Sequence, residues 1–137
     1  MSTKRSGYKE LPHTADWQMH VWAEDLPSLF VEAARGMNAL TGVVPTPGVR
    51  KTRKFDTEAL DYESLLVTFL SELFWIAEQE HLVFDEFNIS FAEFKLKVEM
   101  SGTSIQSQNK SIKAVTYHNL QIREQQGSYQ VNIVFDV

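Results

Sequence analysis

The stretch Phe94-Lys95-Leu96-Lys97-Val98-Glu99-Met100 decides the fold class. Apolar side chains occupy every second position and charged ones lie between them. Successive side chains of a strand point to opposite faces, so a period of two describes a strand with one face in a core and the other in water. The pattern returns at the C-terminus. Over residues 129–137, Val131, Ile133 and Phe135 share one face, and Asn132, Val134 and Asp136 share the other. Just before it, Gln125-Gln126-Gly127-Ser128 has the chemistry of a hairpin turn, which makes residues 113–123 the preceding strand. Residues 101–110, rich in Ser, Gln and Asn, read as a polar loop.

Towards the N-terminus the period changes. Tyr62, Leu65, Leu66, Phe69, Leu70, Leu73, Phe74 and Ala77 recur at helical spacing behind Asp61, a good N-cap. Leu26, Leu29, Phe30, Ala33, Ala34, Met37 and Leu40 do the same behind Asp25. Pro27 is tolerated in that first turn, and Gly42 stands where a helix end needs positive φ. The wider stripe predicts that the second helix is the more deeply buried. Residues 43–49, with Pro45, Pro47 and Gly48, read as a loop, and the basic residues 49–56 as an edge strand.

At the start, residues 1–7 read as a flexible tail and residues 8–11 as a strand stopped by Pro12. His13-Thr14-Ala15-Asp16 reads as a polar turn. Trp17, Met19, Val21 and Ala23 then alternate with Gln18, His20, Trp22 and Glu24, which is a strand. The strands after the second helix run consecutively, so they should pair antiparallel. The expectation is one α+β domain over residues 1–137. Two helices would pack on one face of a largely antiparallel or mixed sheet of six or seven strands.

Composition limits the functions. Apolar residues make up 43% of the 137 residues and nine of them are Phe, enough for one core. Cysteine is absent, which excludes disulfides, thiolate metal sites and cysteine nucleophiles. The opening MSTKRSGYKE is not a signal peptide, and no apolar run approaches the ~20 residues that cross a bilayer. A cytoplasmic location is expected. The net charge of −5 argues against strong direct binding of nucleic acid and favours a metal ion or a basic protein partner. Trp22, Trp75 and the Phe-rich run 84–94 are expected in the core rather than as base-stacking platforms.

No Gly-rich phosphate loop, helical His pair or nucleophile elbow is present. Three groups remain. Asp136 and the carboxylate of Val137 put two anions at the end of an apolar strand, an arrangement that a hard cation with oxygen ligands stabilises. An exposed acid at a solvated end is the more ordinary account of them. Asp16 supplies a third oxygen donor if the first and last strands are neighbours; turn chemistry is its ordinary role. In the strand over residues 113–123, Lys113, Val115 and Tyr117 face one side and Ala114, Thr116 and His118 the other. A lone strand histidine is more often a hydrogen-bonded structural group than a ligand or a base.

Taken together, His13-Thr14-Ala15-Asp16, Lys113-Ala114-Val115-Thr116-Tyr117-His118 and the final Phe135-Asp136-Val137 resemble the archease family. Glu32-Ala33-Ala34 in the first helix, Glu72-Leu73 in the second and Leu82-Val83-Phe84 after it extend the likeness from about Tyr8 to Val137. The resemblance implies an accessory protein rather than an enzyme. Its role would be to promote guanylylation and repeated turnover of the GTP-dependent RNA-splicing ligase (RtcB type) in tRNA splicing and RNA repair. Carried over by position, Asp16, Asp136 and Val137 would bind a divalent metal, calcium in the family. His13, Lys113, Tyr117 and His118 would be further functional residues, and no catalytic residue is implied. Two positions depart from the family pattern. Residues 106–111 lack the acidic, His-containing stretch expected before Lys113, and Trp17 stands where a small aliphatic residue is expected. Two competing readings are a small metal-dependent hydrolase using Asp16 and Asp136 with His118 as base, and a chaperone-like binding module with an exposed apolar patch.

Overall fold

The alternating stretch is the first half of the longest strand, β6 (Lys95–Ser107), and a sheet is built on it. The computed structural model describes residues 5–12 and 16–137. Among them, β1 (Gly7–Leu11), β2 (Trp17–Ala23), α1 (Leu26–Thr41), β3 (Val44–Pro45), β4 (Lys51–Glu58), α2 (Tyr62–Glu80) and β5 (Leu82–Ala92) precede β6. After it come β7 (Ala114–Thr116), β8 (Arg123–Gln125) and β9 (Ser128–Asp136). The fold is α+β.

Every strand pair is antiparallel, and the strands divide between two sheets. One runs β1-β2-β9-β7, with β8 also on β9. The other holds β6 between β4 and β5: Val98 faces Phe55 on one side and Ile89 on the other. The helices do not share a single sheet face. α1 touches β1, β2 and β9 of the first sheet and β5 of the second, and α2 touches β4 and β5 of the second and β7 of the first. Each helix must therefore present apolar residues to both sheets. The fully buried Phe30 of α1 and Phe69 of α2 meet with ring centres 5.6 Å apart, and Phe91 of β5 stands edge-on to Phe30 at 5.0 Å. Truncating either buried Phe to Ala would cost about 3–5 kcal/mol through lost burial and the cavity left behind.

The helix ends follow the sequence. Asp25 and Asp61 each accept the backbone N–H three residues on, from Ser28 and Ser64, at 2.7 Å. Gly42 closes α1 at φ 66°. The end of α2 carries no glycine. His81 takes φ 55°, its N–H donates to the Ala77 carbonyl at 2.9 Å, and its own carbonyl accepts Ile105 N–H at 2.8 Å. That last bond comes from β6, so the tertiary structure holds a left-handed conformation that local preference disfavours.

Several expectations are corrected. The polar loop expected at residues 101–110 is β-strand as far as Ser107, paired with β5 through Ser104 and with β3 at Ile105 and Ser107. Backbone hydrogen bonds maintain a strand whose side chains carry no alternating signal. β3 itself lies within the loop expected at 43–49. The strand expected over 113–123 is interrupted. Only Ala114–Thr116 and Arg123–Gln125 pair with β9, and Asn119 at φ 52° turns the chain between them, Leu120 N–H returning to the Tyr117 carbonyl at 3.1 Å. Nor is α2 the more buried helix: Trp75, expected in the core, is 58% exposed on it. The tail expected over 1–7 is shorter, because Gly7 already pairs with Trp22.

Candidate metal centre and the sheet face that carries it

β2 and β9 are neighbours, although more than a hundred residues separate them in the chain. Their register pairs Trp17 with Phe135, Met19 with Ile133 and Val21 with Val131. Opposed residues share a face, and this one is buried: Met19, Val21, Ile133 and Phe135 are at most marginally exposed. The even-numbered residues therefore form the outer face. The ladder ends there; continued by one residue, it would set Asp16 opposite Asp136.

Both carboxylates are exposed, whereas Val137 is half-buried and packs against the core. Apolar contact thus anchors the residue after Asp136. Lys113 N–H donates to the Asp136 carbonyl at 2.8 Å and Ala114 pairs with Asp136, so β9 is held by β7 up to its last residue, while its ladder with β2 ends at Phe135. Among the described residues no three His, Cys, Asp or Glu side chains form one cluster. Asp16, Asp136 and Val137, the residues expected from sequence to bind metal, would offer oxygen donors alone. Such a set fits a hard cation such as calcium or magnesium, with water filling the remaining positions. It does not fit zinc, which favours nitrogen and sulfur in a closed tetrahedron.

The other residues singled out by sequence lie apart in structure or outside it. His13 falls outside the described residues. Lys113 and Tyr117 are exposed. His118 stands in the turn rather than on a strand, its ring Nε2 3.3 Å from Asn119 Nδ2, so it does not share a strand face with Ala114 and Thr116.

Sequence reasoning missed the rest of this outer face. From Asp16 the next rows across the sheet are Leu11–Gln18–Val134–Thr116, then Lys9–His20–Asn132, then Gly7–Trp22–Gln130–Arg123. His20 Nδ1 donates to Asn132 Oδ1 at 2.6 Å, and its ring stacks beside Trp22 with centres 5.7 Å apart. Trp22 is thus an outer-face residue, lying over Gly7, where an added Cβ would come within 2.7 Å of the indole. The even-numbered alternation of both strands carried this information, but pairing was needed to read it.

The comparisons decide the family. The model of the archease protein family matches residues 8–137. This chain belongs to the archease family. It is 29% identical over 147 residues to the archease of Methanosarcina mazei, covering all of both chains. It is 27% identical to that of Pyrococcus abyssi, over 95% of this chain and 98% of the relative. The archease fold is confirmed in two solved structures. One is a Methanobacterium thermoautotrophicum protein solved in solution, with a TM-score of 0.72 at 22% identity over 96% of this chain and 99% of that one. The other is the crystal structure of a Thermotoga maritima archease described as a possible chaperone, with a TM-score of 0.69 at 20% identity over 94% of this chain and 96% of that one. In this archease no helix among the described residues is long and apolar enough to cross a membrane.

Proposed function

We propose that this archease is a protein cofactor, not itself an enzyme, of the GTP-dependent RNA-splicing ligase (RtcB type), and that it acts in tRNA splicing and RNA repair. In this reading Asp16, Asp136 and the Val137 carboxylate hold a divalent cation, calcium by preference, at the edge of the β2–β9 sheet. The supporting observation is the Trp17–Phe135 pairing, whose continuation by one residue would bring two exposed acids side by side at the end of the ladder. The cation would neutralise clustered charge and supply a fixed positive centre. The chain's own part is to present that centre on an exposed rim, where a partner's acidic or phosphate-bearing surface can reach it. An exposed rim suits docking better than hydrolysis, which calls for a cleft that holds the substrate against a metal-activated water.

The test is multiple-turnover RNA ligation by the cognate ligase with and without this protein. Ligation should continue past one turnover only when it is present; an unchanged time course would reject the reading. Extending the chain beyond Val137 converts its carboxylate into a neutral amide and should damage activation more than a tag before Met1. Equal activity of the two tagged forms would remove that carboxylate from the site. Suppression of client aggregation without any effect on ligation would favour the chaperone reading instead.

A further inference from the structure

The outer face of the first sheet changes character along its length. At one end stand Asp16 and Asp136. Six residues along β9, at ~3.3 Å each or about 20 Å away, stands the row Gly7–Trp22–Gln130–Arg123. Between these rows the face carries no carboxylate, although the whole chain has a net charge of −5. It carries Lys9, His20 and Arg123 instead. The guanidinium of Arg123 is bonded to a neutral group, Gln121 Oε1, from Nε at 3.3 Å and Nη2 at 3.2 Å, and among the described residues it pairs with no carboxylate. The nearby Glu24 is held by Arg5 at 3.2 Å.

The turn that interrupts the expected strand rises beside this end of the face. Together they enclose a concavity of about 610 Å³, within the range of small-ligand sites. Asn119, Gln121, Gln130 and Asn132 line it with carboxamides, and His20, Arg123 and the apolar Leu120 and Val131 complete the wall. Carboxamides offer donors and acceptors together, which matches the edges of nucleobases. An uncompensated guanidinium matches a phosphate. The stacked His20–Trp22 pair beside them offers a flat aromatic surface of the kind on which an unpaired base lies. An acidic peptide could bond to the guanidinium and the carboxamides but would leave the aromatic pair unused.

We infer that this end of the sheet binds an unpaired nucleotide of single-stranded RNA, with its phosphate on Arg123, its base edge on the carboxamides and its ring against Trp22 and His20. Few cations take part, so binding is weak and its salt dependence shallow, corresponding to one or two phosphates. This accommodates an acidic chain that is no general RNA binder. The inference goes beyond the ligase reading and is tested without the ligase, so either can fail while the other stands.

The experiment titrates the full chain with a six-nucleotide single-stranded RNA and follows tryptophan emission and fluorescence anisotropy of the labelled RNA. Saturable binding with quenching is expected. Trp22→Phe should remove most of the quenching, while Trp17 and Trp75 remain as reporters of folding. Arg123→Gln should weaken binding roughly tenfold, the effect of losing one charge-assisted hydrogen bond. Lys97→Gln, the same charge change on the other sheet, should leave it unchanged. The absence of saturable binding would overturn the inference. So would equal losses in Arg123→Gln and Lys97→Gln, or equal affinity for duplex RNA or a glutamate-rich peptide.

Discussion

Lys110 Nζ stands 4.1 Å from the centre of the Trp17 ring. Trp17 follows Asp16 at the start of β2, and Lys110 lies in the polar segment between β6 and β7. The cation over the ring joins these two distant segments in one contact next to Asp16. It also ties down the segment before β7, whose backbone is held by bonds from Asn109 and Lys110 N–H to the Thr41 carbonyl at 2.8 and 3.1 Å. Lys110→Ala and Trp17→Leu should therefore be coupled. A double-mutant cycle read by urea unfolding should return about 0.5–1 kcal/mol, the size of an exposed cation–π contact. Strict additivity would mean that the contact contributes nothing in solution.

Asp16→Ala and Asp136→Ala should each leave thermal unfolding in chelator almost unchanged, within about 0.5 kcal/mol, because both side chains are exposed and outside the core. Each should weaken calcium binding by more than roughly tenfold, since a directly coordinating anion matters more than an outer partner. Calorimetric titration measures this. A variant that folds, loses the ion and still activates the ligase would show that the acidic rim is not the working site.

Gly102 is required by close approach. A Cβ built there would lie 1.8 Å from the Val83 carbonyl oxygen, at the point where the β5–β6 register shifts. That neighbour is backbone and cannot rotate away. Gly102→Ala should destabilise the protein by at least about 2 kcal/mol through overpacking, whereas Gly48→Ala, with nothing within 4 Å, should be nearly neutral. Chemical denaturation of the pair provides the comparison, and similar midpoints would contradict the geometry.

The backbone N–H of Ser64 holds the Asp61 carboxyl below its ordinary value of 3.8, with the Ser64 hydroxyl adding to the effect. Protonation is thus harder in the folded state than in the unfolded one. The cap's contribution is complete above the unfolded value and is lost as pH falls through the depressed folded value. Asp61→Ala should lower the melting temperature by a few degrees at pH 7, and the gap from the parent should close as pH falls below the unfolded value and on through the depressed folded one. A gap of constant size across that range would show that the loss is not that of a charged cap.

Much of the local structure was legible in the chain. Asp25, Asp61 and Gly42 mark helix ends because capping uses groups within a few residues. The Gln126-Gly127 turn, with φ of 53° and 76°, was readable for the same reason. The alternation in β2 and β9 gave the inward face of each strand correctly, since a strand's side-chain period is geometric. The strand over 101–107 was hidden because Gly102, Thr103 and Ser104 are maintained there by backbone bonds to β5 rather than by their own side chains. The break at Asn119 was hidden because nothing local forbids a strand there.

The site shows the same division. Sequence determined that Asp16 stands one residue before a strand and Asp136 one residue before the end of another, with both on the polar parity of their strands. It also excluded thiolate metal donors, cysteine being absent. Only the tertiary structure decided that β2 lies against β9 in the register pairing Trp17 with Phe135. That register puts the two acids at the same end of the sheet and lines up His20, Trp22, Asn132 and Arg123 on one face. A strand's own pattern fixes which side is buried. The choice of neighbour and register depends on packing Met19, Val21, Ile133 and Phe135 into one core across a long loop of chain, and that free energy belongs to the assembled fold rather than to either segment.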